Sequence, residues 1–104
     1  MKNIFENIDK AFENRVRLGI MSALMVNDEV DLNTFKELLG LTDGNLASHV
    51  KALEKINYID VKKDFVGKKP RTTYVASVVG RNAFTKHLAA LENLIKIDMQ
   101  NTKK

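Results

Sequence analysis

The sequence contains no cysteine, a single proline and only five glycines in 104 residues. Without cysteine there is no disulfide framework, no thiolate metal site and no cysteine nucleophile. Scarce proline and glycine favour helix over a loop-rich or all-β architecture. No apolar run approaches the roughly 20 residues needed to cross a bilayer. The opening MKNIFENIDK mixes charges with isolated hydrophobes and has no signal-peptide core. A cytoplasmic protein without membrane attachment is therefore expected. Internal repeats, linkers and low-complexity stretches are also missing, so residues 1–104 are expected to form one domain. No glycine-rich phosphate loop, paired acid and base or activated nucleophile is present, and an enzyme is not expected. The two histidines, His49 and His87, lie far apart and lack carboxylates at ligand spacing. No metal and no cofactor are expected.

What is present is ordinary hydrophobicity, at 44%, and a modest basic excess of 17 Lys and Arg over 13 Asp and Glu, giving +4. That balance permits a polyanionic partner without requiring one. The position of the charges decides more than their sum.

Apolar residues at three- and four-residue steps, Phe12, Val16, Ile20, Ala23 and Leu24, predict a first helix from about Asp9 to Val26. Ile4, Phe5 and Ile8 form a separate apolar cluster ahead of it. Val30-Asp31-Leu32 could add a short strand. The segment NTFKELLG reads as a compact second helix, with Thr34 and Glu37 at capping-box spacing and Asn33 as an alternative cap. Phe35, Leu38 and Leu39 would supply its buried face, and Gly40 suits the left-handed residue that ends a helix. Thr42 can cap a third helix reaching about Asn57, with Leu46, Val50, Leu53 and Ile56 inward. Two helices separated by a few residues containing glycine are the helix-turn-helix signature.

From Tyr58 to Phe65 the period changes to two, with Ile59, Val61 and Phe65 alternating with Asp60, Lys62 and Asp64. VGKKPRTT reads as a long basic loop, and Thr73 to Ser77 returns as a second strand. A last helix begins near Val78 or Val79 and runs to roughly Met99, with Phe84, Leu88, Leu91 and Ile95 in one stripe and His87 on its surface. The expected fold is mainly α with a small β-hairpin (α+β). It is a winged helix-turn-helix: a three-helix core plus a wing and a C-terminal helix.

Such a fold presents its third helix, about 42–57, to the major groove of double-stranded DNA and its hairpin tip, about 66–73, to the backbone or minor groove. Base edges demand small or hydrogen-bonding side chains on the outer face of that helix. Asn45, Ser48, His49 and Ala52 share one such stripe. Thr42, Asp43 and Gly44 place free amides at the helix start, which suits a phosphate, although Asp43 would repel one. Lys51 reaches toward the backbone. On the wing, Lys62, Lys68, Lys69 and Arg71 supply charge, Thr72 and Thr73 hydroxyls, and Pro70 stiffness. Arg71 suits the backbone or a minor groove.

From LTDGNLASHVKALEKINYIDVKKDFVGKKPRTTYVASVVGRNAF onward the match to a known family becomes specific. This stretch resembles the small MarR-like winged-helix regulators of bacteria and archaea, and the likeness extends from Arg15 to Leu94. In that group a segment like LTDGNL opens the recognition helix, KALEKINYI closes it and FVGKKPRTTY makes the wing. Val78 and Val79 stand where the family usually has Thr-Pro. The resemblance implies a dimeric transcriptional regulator with Lys69 and Arg71 on DNA backbone, dimerising through the terminal helices, 1–26 and 78–99. The apolar stripe Phe84, Leu88, Leu91 and Ile95, complemented by Ile4, Phe5 and Ile8, fits that homodimer interface; closing the monomer's own core is the alternative. A winged helix used for protein–protein assembly without DNA is the rival function. RNA binding is disfavoured because no exposed aromatic stacking surface is evident. A small-molecule effector between helices stays open.

Overall fold

A computed structural model describes residues 5–96 of the chain. A 3₁₀ turn, Lys10–Phe12, leads into α1 (Arg15–Val26), α2 (Leu32–Leu39) and α3 (Asp43–Lys55). The hairpin β1 (Ile59–Val66) and β2 (Lys69–Ala76) follows, and α4 (Val78–Ile95) closes the order. Ile4 and Met99 lie outside the described residues.

The helix expected from Asp9 is broken in two, because two capping side chains fall close together. Asp9 Oδ1 accepts the Ala11 N–H at 2.9 Å and caps the 3₁₀ turn. Asn14 Oδ1 then accepts the amides of Val16 and Arg17 at 2.9 and 3.2 Å, so α1 starts afresh. Asp31, rather than Asn33 or Thr34, caps α2 by accepting the Thr34 N–H at 2.8 Å. Gly40 ends α2 in the left-handed conformation, φ 63°, and Thr42 caps α3 as expected. Asn57 follows α3 at φ 65°, a conformation that asparagine tolerates better than most residues.

One cluster of buried side chains joins these elements. Ile20, Met21 and Leu24 of α1 meet Phe35 of α2 and Leu46, Val50 and Leu53 of α3, with Ile59, Tyr74 and Phe84 closing the cluster. Each such burial contributes about 1.5–3 kcal/mol relative to exposure. Phe12 packs edge-on against Phe84 at 5.1 Å and beside Tyr58 and His87 at 5.5 and 5.2 Å. Leu38 and Ile56 depart from expectation and are exposed. In a helix as short as α2, the stripe through Phe35 and Leu39 suffices for packing. Ile56 stands at the end of α3, past its last packed turn. His87 is buried, its Nδ1 accepting the Asp9 N–H at 3.0 Å; it is a core histidine and not a surface one.

The hairpin is longer and its tip tighter than the sequence suggested. Pairing runs from Ile59 with Ala76 to Val66 with Lys69, so only Gly67 and Lys68 form the turn. Gly67, at φ 65°, supplies the positive φ that a two-residue turn needs at its first position. Val30 adds one antiparallel bridge to Tyr74, its N–H donating at 3.0 Å and its C=O accepting at 2.8 Å. That is all that forms of the expected Val30–Leu32 strand. Among the described residues no helix is long and apolar enough to cross a membrane.

Candidate nucleic-acid interface

The inner stripe of α3 is fully engaged in the core, which leaves its outer face to solvent. Asn45, Ser48, Lys51 and Ala52 are exposed, as are Thr42, Asp43 and Gly44 at the helix start, while His49 is half-buried. The Ser48 hydroxyl donates to the Asn45 carbonyl at 3.0 Å, so its lone pairs face outward as acceptors. The Asp43 carboxylate receives Lys36 of α2 at 2.8 Å. That pair weakens the repulsion Asp43 would offer a phosphate and adds a cation at the amino end of α3.

His49 is held by a residue that sequence reasoning missed. Arg17 of α1 donates from Nε to the Ala11 carbonyl at 2.7 Å and from a terminal nitrogen to His49 Nδ1 at 3.2 Å. A guanidinium can only donate, so Nδ1 accepts and the ring proton sits on Nε2. Arg17 therefore fixes both the tautomer and the orientation of His49. No short-range pattern links positions 17 and 49; the signal exists only after α1 and α3 pack.

The cations of the wing divide by partner. Lys68 and Lys69 are exposed at and beside the turn. Lys62 and Arg71 converge instead on Glu29, at 2.9 and 3.8 Å. The bonded Lys62 ammonium, with Arg71 behind it, holds the Glu29 carboxyl below the usual carboxylate range. Glu29, between α1 and α2, is a second residue that sequence reasoning missed. Thr72 is exposed, whereas Thr73 is fully buried and its hydroxyl cannot reach a phosphate. Phe65, expected to be half-buried, is 71% exposed. An exposed aromatic on the wing corrects the expectation that no stacking surface exists.

Residues 16–95 match the family model of a winged helix DNA-binding domain. The chain belongs to that family. An uncharacterized protein of Methanocaldococcus jannaschii is 33% identical over 87 residues, spanning 84% of this chain and 95% of that one. A transcriptional regulator homologue from Pyrococcus horikoshii OT3 superposes with a TM-score of 0.77 at 29% identity, over 88% of this chain and 89% of that one. A MarR-family protein from Enterococcus faecalis V583 shares the fold at 18% identity, with a TM-score of 0.68 over 96% and 86% of the two chains. The protein thus has the winged-helix fold of a DNA-binding domain family.

Winged helices of this kind need their start of α4 placed against the end of α3, and here Ser77 and Gly80 do so. The Ser77 N–H donates to the Tyr58 carbonyl at 3.0 Å and its hydroxyl to the Asn57 carbonyl at 2.6 Å. The same oxygen accepts the Gly80 N–H at 2.9 Å. Arg81 then reaches the Leu24 carbonyl in the last turn of α1 at 3.3 Å. The resulting winged helix leaves an apolar surface on α4, where Leu88, Leu91 and Ile95 are exposed, with Phe5 exposed ahead of the 3₁₀ turn. Ile8 is half-buried. Phe84, expected on that surface, is buried against Phe12 instead.

Proposed function

We propose that the protein is a transcriptional regulator that binds double-stranded DNA sequence-specifically as a homodimer. Residues 42–52 of α3 enter the major groove, and the wing lies on the adjoining backbone or minor groove. The observation that carries this reading is the exposed, small and polar outer face of α3, together with exposed Lys68 and Lys69 at the hairpin tip. Asn45, Ser48, His49 and Ala52 are of a size and chemistry that base edges accept. Thr42 and Gly44, with Lys36 close by, favour a phosphate at the helix start. Lys51, Lys68, Lys69 and Thr72 add sequence-independent contacts. Lys62 and Arg71 enter only to the extent that a phosphate competes with Glu29.

Dimerisation is assigned to Leu88, Leu91 and Ile95, exposed on α4, with Phe5 and half-buried Ile8. A two-fold pair of α3 helices would read half-sites about 34 Å apart, so a palindrome is expected. The test is selection of bound duplexes from a random pool, followed by affinity against salt. An enriched palindrome is expected. Lys68→Glu with Lys69→Glu should flatten the salt slope by up to about 3.6 in a dimer with four phosphate contacts. Absence of enrichment, with an unchanged slope in the variant, would transfer the fold to the protein–protein role.

A further inference from the structure

The pleat of the hairpin places Ile59, Val61, Lys63 and Phe65 of β1 on the same side as Ala76, Tyr74, Thr72 and Pro70 of β2. At the base this side is core, with Ile59 and Tyr74 buried. Toward the tip the helices no longer cover it, and its last cross-strand pair is Phe65 with Pro70, both exposed. A phenyl ring left mostly in water forgoes most of the stabilisation that burying an aromatic gives. Among the described residues, nothing in the packing requires a large apolar side chain there.

We propose that Phe65, backed by Pro70, is an apolar wedge that enters the minor groove of the bound duplex and partly unstacks one base step. The proposal rests on the DNA-binding reading above and adds to it a contact and a deformation. Three observations select this occupant. Exposed Lys63 shares this face, with exposed Lys68 in the turn and Lys69 next to Pro70 in sequence, and such a cationic setting fits a polyanion. A second copy meeting this same face would bring like charges together. The wedge is also stiff: Pro70 fixes its own φ, and the opposite face of the hairpin is braced by Glu29 through Lys62 and Arg71. Finally, Arg71 lies on that opposite face, near both Glu29 and Asp31, whose carboxyls it helps hold down. That guanidinium is therefore already engaged, and on the other face the outermost cross-strand pair is apolar. Proteins that insert phenylalanine or proline between bases kink the duplex toward the major groove. Pyrimidine–purine steps yield most easily, so TA or CA/TG steps should recur where the two wings reach.

The chain has no tryptophan, so Phe65→Trp installs a single emitter at the wedge. With duplexes obtained by selection, emission of F65W should be strongly quenched on binding, and 2-aminopurine should brighten at one step under each wing. Phe65→Ala should lose affinity on the order of tenfold per wing, reduce the bend seen by end-to-end energy transfer, and keep the salt slope. Its melting temperature should stay near that of the wild type, because the ring is mostly exposed. The wedge is overturned by full affinity and bend in F65A, or by unchanged F65W emission in a complex that anisotropy shows to be formed. It is equally overturned if F65A sediments as a smaller species, or if F65W quenches more with single strands than with duplex. A wild-type chain that retains no duplex from the pool sinks the DNA-binding reading itself, a result distinct from retention without insertion.

Discussion

Gly80 should be irreplaceable on steric grounds, against the direction of helix propensity. It occupies the first turn of α4, and alanine in an open helix would be worth about 0.5–1 kcal/mol over glycine. A Cβ at position 80, however, would stand 2.0 Å from the Tyr58 carbonyl oxygen and 2.8 and 2.9 Å from the Tyr58 carbonyl carbon and Cα. Those atoms cannot give way. Tyr58 donates its N–H to the Leu53 carbonyl at 2.9 Å, and its own carbonyl holds the Ser77 N–H. The start of α4 must retreat by more than 1 Å, weakening the Ser77 bonds at about 0.5–1.5 kcal/mol each. Displacing Phe84 in the packed core adds about 1–3 kcal/mol. Set against the propensity gain, Gly80→Ala should destabilise by about 1–5 kcal/mol, a fall in Tm of roughly 4 °C at the least for a domain of this size. Two internal controls sharpen the test. Gly44 has nothing within 4 Å of its would-be Cβ, so Gly44→Ala should be neutral to stabilising. Gly19 would meet the Leu39 side-chain end at 2.7 Å, which rotation of that half-buried leucine relieves at small cost. Thermal melts of the three variants at one protomer concentration suffice. If Gly80→Ala melts as high as Gly44→Ala, the account of the α3–α4 junction is wrong.

Three further predictions follow from named contacts. Burial, with the hydrogen bond to the Asp9 carboxylate, pushes the Tyr58 phenol from 10.0 up to about 12, and burial also raises Tyr74. Because the folded value lies above the unfolded one, this stabilisation is whole below pH 10 and lost as pH rises toward 12. Absorbance at 295 nm should show one native tyrosine ionising only near pH 12, and complete ionisation of both tyrosines near pH 10 in folded protein refutes the assignment. Glu29→Gln should leave stability nearly unchanged, since water screens the pair, yet steepen the salt dependence of DNA binding by releasing Lys62 and Arg71. An unchanged slope would mean that neither cation reaches phosphate. Arg17→Gln should relax preference at the base pair facing His49 while leaving the salt slope alone. A flatter slope would instead put Arg17 on the backbone.

What the sequence revealed and what it hid divide along the range of the interactions. Gly40 and Thr42 mark the turn between α2 and α3 because left-handed φ and N-capping are local demands, legible in a few consecutive residues. The inner stripe Leu46, Val50 and Leu53 is likewise a matter of helical period. Phe65 misled because alternation reports only which side of a strand a residue is on, and that side stops being interior where the helices end. Phe84 and His87 misled for the converse reason. Each sits on a helix with an exposed stripe, and each is drawn inward by Phe12, a residue more than seventy positions away. Glu29 and Arg17 gave no sign at all, since a carboxylate or guanidinium acquires its role from partners that only the packed chain supplies.

Those two residues matter to how a protein of net charge +4 could hold a duplex without binding every polyanion equally. Of the basic groups on the interface side, Lys36, Lys62 and Arg71 already have carboxylate partners in Asp43 and Glu29. A phosphate approaching them gains only the difference between itself and that partner, so their share of non-specific affinity is reduced. Exposed Lys51, Lys68 and Lys69 carry no such discount. Affinity from charge alone is thereby kept modest and concentrated at the tip. Discrimination then rests on contacts that cannot be made to any backbone at large: the polar stripe of α3 at base edges, an oriented His49, and a duplex able to yield to the wing. On this view an acidic residue beneath a basic wing raises specificity by subtraction, and removing Glu29 should tighten binding to arbitrary DNA more than to the selected site.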